Sequence, residues 1–326
     1  MRHEAAMLRT YLVQGVEDPR LNLQSILSRH FLLRALTHPR WAALMDHECR
    51  FAAAMAWLAR LVRRPGDPEE LGTILQALRR HADNAEGLEI PPFILQTFTS
   101  LPAETEGVRI PNYLEAVLVD APASPDPRDV FERGLGTFGR LWQQALRTQP
   151  PRPPGTPSVL EPACGSANDY RYLDAYGIAP LINYIGLDLC AKNVENARAL
   201  FPGIRFELGN VFELRVPDKT YDLCFVQDLF EHLSLAGLER AVCEICRVTR
   251  LGICTGFFNM DEIPAHAVQP VEDYHWNTLS MAQMRDAFAA QGFTAQVLHI
   301  GTFLRQNLGC PQTHNPNAYI FLLSPR

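Results

Sequence analysis

No apolar run in this 326-residue chain approaches the roughly 20 residues that a membrane-spanning helix needs. The opening stretch, MRHEAAMLRTYLVQGVEDPR, has charges on both sides of a very short apolar segment, so the uninterrupted apolar core of a signal peptide is lacking as well. Nor is there a Lys/Arg block: 36 acidic and 30 basic side chains leave a formal charge of -6, and a surface that tracks phosphates needs a basic stripe. These absences point to a soluble, cytoplasmic protein with no membrane and no nucleic-acid partner. A small molecule is the expected partner instead.

Paired metal motifs are missing too. The eight cysteines, at 49, 164, 190, 224, 243, 246, 254 and 310, fall several times inside apolar runs, which suits buried thiols in a reducing compartment. Cys243 and Cys246 form half of a zinc or redox motif, but they sit in the helical pattern LERAVCEICRV without a second CxxC or paired histidines at ligand spacing. No metal is expected there. Internal repeats and low-complexity tracts are also absent.

What the chain does contain suggests two domains, since its length exceeds that of one ordinary domain. Residues 1–148 carry helix-period patterns, clearest from His38 to Arg64, where Leu44, Phe51, Met55, Leu58 and Val62 make one apolar stripe. Pro65-Gly66-Asp67-Pro68 stops that helix, and the next begins near Glu69. A further helix is expected from Asp126 to Arg147, where Gly134, Gly136 and Gly139 would allow close approach of a neighbour. The proline-dense segment 149–157, QPPRPPGTP, cannot continue a helix and is read as the linker.

From 158 to 326 the texture changes. Short apolar runs (SVLEP, INYIGLD, IRFELG, YDLCFVQD, RLGICTGFF) alternate with helix-period segments, which implies parallel strands joined by right-handed crossovers with helices on both faces. In such sheets ligands bind beyond the carboxyl ends of the strands, so the residues ending each strand matter most. The first ends at Glu161 and turns through Ala163, Gly165 and Ala167 into a helix beginning near Asn168. A dinucleotide would need the glycines of G-x-G-x-x-G to admit its pyrophosphate, and only Gly165 is present. The second strand ends in Asp188, where a carboxylate can accept both hydroxyls of a ribose, the third in Gly209-Asn210, with an amide suited to a base edge, and the fourth in Gln227-Asp228. Acids for a ribose, an amide for a base and a turn too poor in glycine for a pyrophosphate describe a nucleoside with a short polar tail.

Residues 158–300 resemble the class I S-adenosylmethionine-dependent methyltransferase family in its small-molecule branch. LEPACGSAND is similar to its first motif, with Ala163 and Ala167 in place of two glycines; YIGLDLCAKNVENAR, FELGNVFEL and YDLCFVQDLFEHLS resemble the second, third and fourth, the last with a Glu-His pair. The resemblance implies an α/β fold: a Rossmann-like, seven-stranded doubly wound sheet with an antiparallel end, here behind an N-terminal all-helical domain. It implies S-adenosylmethionine as cofactor, with Glu161, Ala163, Gly165 and Asn168 along the methionine part, Asp188 and Leu189 at the ribose, Asn210 and Val211 flanking the adenine, and Gln227 facing the methionyl chain. The helical domain would roof the acceptor pocket or make a homodimer.

Methyl transfer from a sulfonium is an in-line displacement that needs alignment, exclusion of water and, for oxygen or acidic carbon, a base. His232, one turn past Asp228, is the candidate base, because imidazoles titrate near neutrality. The segment 259–280 is polar, aromatic and aperiodic at the carboxyl edge of the sheet, and places His266, Tyr274, His275 and Trp276 as acceptor-facing candidates. The expected activity is methyl transfer to a small organic acceptor at oxygen, ahead of carbon or nitrogen, since no Asn/Asp-Pro-Pro-Tyr motif is present. The alternative is a domain that binds the cofactor without transferring methyl, as a rearrangement catalyst or a regulatory module.

Overall fold

The computed structural model describes residues 23–37, 42–61, 68–100, 103–105, 107–112, 127–147, 155–272, 274–310 and 315–326. Most of the expected linker (149–154), together with Val62 and the Pro65–Asp67 stop, lies outside them. The chain forms two compact units: residues 1–150 with 175–177 and 304–314, and residues 151–174 with 178–303 and 315–326.

The first unit is mainly helical. It contains α1 (Leu23–Thr37), α2 (Ala42–Leu61), α3 (Pro68–Arg79), α4 (Pro92–Thr99) and α5 (Pro127–Arg147). The apolar stripe of α2 does what its spacing requires: Leu44, Phe51, Met55 and Leu58 are buried. Each large side chain taken from water in this way stabilises by about 1.5–3 kcal/mol. On α5, Gly134 is where the small residue matters, because a Cβ there would lie 2.9 Å from Met55 Cε. Two antiparallel pairs, absent from the helical reading, interrupt the helices: β1 (Asn84–Ala85) with β2 (Leu88–Glu89), and β3 (Ala103–Thr105) with β4 (Val108–Ile110). The first is closed by Glu86 and Gly87, both at positive φ (50° and 81°), with Asn84 Oδ1 accepting from Gly87 N at 3.0 Å. That is the backbone of a two-residue hairpin turn.

A buried ionic cluster lies in this unit. Glu48 accepts from Arg29 (3.2 Å), His30 Nε2 (2.8 Å) and Trp142 Nε1 (2.8 Å). Burial alone would raise its pKa, but the His30 hydrogen bond, the Arg29 charge and the Trp142 donor outweigh it and bring the carboxyl down to about 2.

The second unit is built on a seven-stranded sheet. Its strands are β5 (Ser158–Pro162), β6 (Asn183–Asp188), β7 (Arg205–Leu208), β8 (Tyr221–Gln227), β9 (Thr249–Phe257), β14 (Phe293–His299) and β15 (Tyr319–Pro325), in the order β14-β15-β9-β8-β5-β6-β7. β5 to β9 are mutually parallel, and β15 runs antiparallel to both neighbours. The connecting helices are α6 (Asn168–Ala175), α7 (Ala191–Leu200) and α8 (Leu235–Val248); α9 (Met281–Ala290) precedes β14 and α10 (Ile300–Leu308) follows it. Ser280 caps α9, its Oγ accepting from Gln283 N at 3.3 Å. Short pairs β10 (Met260–Asp261) with β13 (Leu279–Ser280) and β11 (Pro270–Val271) with β12 (Tyr274–His275) organise the segment read as aperiodic. The core gathers Leu160, Val226, Phe230, Ile245, Phe257 and Phe321.

The chain leaves β5 toward β6 and β7 on one side, while β8 and β9 lie on the other. The strand order therefore reverses between β5 and β8, the place where sheets of this kind bind ligands beyond their carboxyl ends.

Candidate functional site

The β5–α6 turn is held in an unusual backbone. Ala163, Gly165 and Ala167 all take positive φ, at 59°, 54° and 66°. The two alanines thus adopt the left-handed conformation that glycine adopts freely, at a cost of about 1–2 kcal/mol each. Cross-links hold them there: Cys164 N donates to Leu187 O (3.1 Å) and Ala167 N to Cys164 O (3.1 Å). A Cβ on Gly165 would meet nothing within 4 Å, so this part of the turn faces open space.

Asp188, at the end of β6, is buried yet well supplied with donors. Its Oδ2 accepts from Gly165 N (2.9 Å) and its Oδ1 from Cys190 N (2.8 Å) and Asn193 Nδ2 (3.2 Å). A carboxylate offers about four acceptor positions. Three are in use, which leaves the carboxylate able to accept from a ribose as well.

Glu161 faces the core. Its carboxyl accepts from the Tyr184 hydroxyl, and burial, then the charges of Asp169 and Asp188, hold its pKa well above the usual carboxylate range despite that bond. Its place is behind the turn, where its bond to Tyr184 ties β5 to β6. Nothing in the sequence marks Tyr184 as its partner. Val211 likewise belongs to the hydrophobic core instead of an open face. Asn210 is exposed, and its Oδ1 accepts from Phe212 N at 2.9 Å, leaving its amide to donate. Leu189 is 69% exposed, a flat apolar surface beside Asp188. Ala163 and Asn168 are exposed, and Gln227 is half-buried.

At the end of β8 a second cluster forms. Asp228 is at positive φ (51°), and its N donates to Gly256 O at 3.2 Å, which turns the chain sharply into the 3-10 segment Phe230–His232. Glu231, which the sequence reading passed over as half of the Glu-His pair, is fully buried. Its Oε1 accepts from Phe258 N (2.8 Å) and Asn259 N (3.3 Å), its backbone O accepts from Asn277 N (2.9 Å), and burial with the Asp228 charge pushes its pKa up to about 8. Asn277 is buried too, donating to Leu233 O (2.7 Å) and accepting from Gln269 N (3.1 Å). These two residues tie the 259–280 segment to the end of β8.

Three of the catalytic candidates meet there. His232 Nδ1 lies 3.1 Å from His275 O. A carbonyl only accepts, so Nδ1 carries the proton and the lone pair of the neutral ring is on Nε2. The ring packs with Phe258, Trp276 and Tyr274 at centroid distances of 5.4, 5.5 and 5.8 Å. His266 is engaged elsewhere: its Nδ1 accepts from Ser280 N at 3.0 Å, and burial lowers its pKa. In that tautomer it offers an N–H, not a basic lone pair, so its geometry serves the junction with α9. Among the described residues no group of three or more His, Cys, Asp or Glu could hold a metal ion. Cys243 is exposed on α8 and Cys246 is buried.

A family model described as a methyltransferase domain matches residues 160–253, from within β5 to within β9 and including both clusters' strand ends. Over residues 160–253 the chain is thus similar to a methyltransferase domain. No curated protein matches the chain. Among solved structures, an S-adenosylmethionine dependent methyltransferase from Mesorhizobium loti is 16% identical, with 56% of this chain and 96% of that one covered and a TM-score of 0.40. An S-adenosylmethionine-dependent methyltransferase from Methanosarcina mazei is 12% identical, covering 52% and 92% at 0.39. The 4+2 cyclase SpnF is 15% identical, covering 59% and 82% at 0.41.

The cofactor that the resemblance to methyltransferases implies is S-adenosylmethionine, and the residues present fit it. Asp188 keeps an acceptor position for a ribose hydroxyl, Leu189 offers an exposed apolar face for the base, and the turn at Gly165 is open where a side chain would intrude. The Asp188 carboxylate at this edge favours a ligand carrying positive charge.

Proposed function

We propose that the protein methylates an oxygen atom of a small organic acceptor, with His232 as the general base. Bound S-adenosylmethionine supplies an electrophilic methyl group on a positively charged sulfur. His232 Nε2 would take the proton of the acceptor hydroxyl whose oxygen receives that methyl group. Phe258, Tyr274 and Trp276 exclude water from the reacting atoms.

The observation that carries this reading is the bond from His232 Nδ1 to His275 O, which leaves Nε2 as the basic nitrogen within an aromatic enclosure. A positioned base of this kind contributes about 10²–10⁴ in rate. His232→Ala should therefore lose about 10²–10⁴ of turnover, while the thermal stabilisation produced by S-adenosylmethionine stays as in the native protein. Normal turnover by that variant removes His232 from the mechanism. Stabilisation by NAD instead of the sulfur nucleosides would overturn the reading altogether.

A further inference from the structure

We infer that the acceptor is an uncharged phenol, held by its ring against Tyr274 and Trp276 and presented by its hydroxyl to His232. The inference rests on the methyl-transfer reading above and narrows it to a substrate class.

Three independent observations support it. The first is aromatic surface. Tyr274 and Trp276 are 44% and 45% exposed although both pack against the His232 ring, and Trp276 is backed by Phe258 at 4.9 Å between centroids. Aromatic side chains left half uncovered beside a base offer edge and face contacts to another planar ring. The second is charge. From Leu251 to Met284 the sequence contains no Lys or Arg, while Asp261, Glu262, Glu272 and Asp273 add four acids. A carboxylate or phosphate on the acceptor would find no cation in this segment, while Glu272 lies two residues from Tyr274, so an anionic acceptor is disfavoured. The third is acidity: a phenol is a far stronger acid than an aliphatic alcohol, so its proton passes to an imidazole in step with displacement much more readily.

The test uses the full chain with S-adenosylmethionine and four probes of similar size: 4-ethylphenol, 4-hydroxybenzoate, 4-ethylcyclohexanol and tyramine. Methylated product and demethylated cofactor are quantified by mass spectrometry. The expected result is methylation of 4-ethylphenol at oxygen with kcat/KM at least about tenfold above 4-hydroxybenzoate and above 4-ethylcyclohexanol. Trp276→Ala and Tyr274→Ala, each checked for a native-like melting profile, should raise KM for 4-ethylphenol by about tenfold. Glu272→Lys should narrow the gap between 4-hydroxybenzoate and 4-ethylphenol.

Equal or better use of the carboxylate or the aliphatic alcohol, methylation of tyramine at nitrogen alone, or an unchanged KM in both aromatic variants overturns the phenol inference and leaves methyl transfer standing. Cofactor binding without methylation of any probe overturns both.

Discussion

Replacing Glu231 with Gln should make the protein's stability less sensitive to alkali. Glu231 is fully buried, and burial together with the Asp228 charge raises its pKa from 4.5 to about 8. A carboxyl that titrates higher when folded keeps its proton longer in the native state. Between pH 4.5 and about 8 the folded chain therefore binds more protons than the unfolded one, and stability falls as pH rises through that window and levels off above it. At about 1.4 kcal/mol per pH unit, the interval from 4.5 to about 8 corresponds to a loss on the order of 5 kcal/mol. Glutamine copies the neutral acid and cannot ionise. Its oxygen can still accept from Phe258 N and Asn259 N, while its amide hydrogens meet the same buried position where Glu231 Oε2 finds no hydrogen-bond partner among the described residues. That second effect adds a cost that does not vary with pH and so cancels in a comparison across pH. Thermal melts of both proteins from pH 5 to pH 9, without cofactor, should show the variant gaining on the native protein by ~10 °C over the range, at about 2–4 °C per kcal/mol. A difference that stays constant with pH, or moves against the variant as pH rises, would refute the assignment of a neutral acid at this position.

Other consequences follow from the remaining buried groups. Asp188→Asn places an amide N–H against the Gly165 or Cys190 N–H, and should weaken S-adenosylmethionine binding by at least about tenfold in calorimetry while costing about 1–3 kcal/mol of stability. Glu48→Gln leaves the buried Arg29 guanidinium without its counter-charge and should destabilise the helical unit by about 3–5 kcal/mol in denaturant titration. The native Glu48 is depressed to about 2, so its contribution is fully present above pH 4.5 and is lost as pH falls toward 2, a trend the Gln variant should lack. Ala163→Gly and Ala167→Gly remove left-handed alanines and should each raise the unfolding midpoint by about 0.5–1 kcal/mol equivalent.

The strands and helices of the second unit were legible because each satisfies two local demands at once. SVLEP and YDLCFVQD are apolar enough to be buried on both faces, and Ser280 stands where an N-cap must stand before MAQMRDAFAA. Elements that depend on a turn rather than a period were not read. The β1–β2 pair is two residues per strand, and its only signals are Asn84 and Gly87. α4 is eight residues long behind two prolines, and α10 starts directly from β14 with Gly301 in its first turn, so neither offers a periodic window long enough to recognise. In the 259–280 segment, order comes from Asn259, Asn277 and Glu231, whose side chains bond backbone groups far along the chain. Polar residues engaged over 18 to 44 positions leave no trace in hydropathy.

The β5–α6 turn shows the same division at the site itself. Its place after a strand and its pairing with Asp188 are sequence-local, whereas the role of each residue depends on where its backbone points. Alanine at 163 and 167 looks like a departure from a glycine turn, yet both residues hold the glycine conformation, so the path of the chain is retained and only two methyl groups and their strain are added. Those methyl groups have different settings: Ala167 is buried and Ala163 is exposed. The buried one can only tighten packing beneath the turn, and the exposed one narrows the approach beside Gly165, where the surface is open. If the substitution matters for ligand choice, Ala163 is where it acts, and Ala163→Gly should change cofactor affinity while Ala167→Gly changes stability alone.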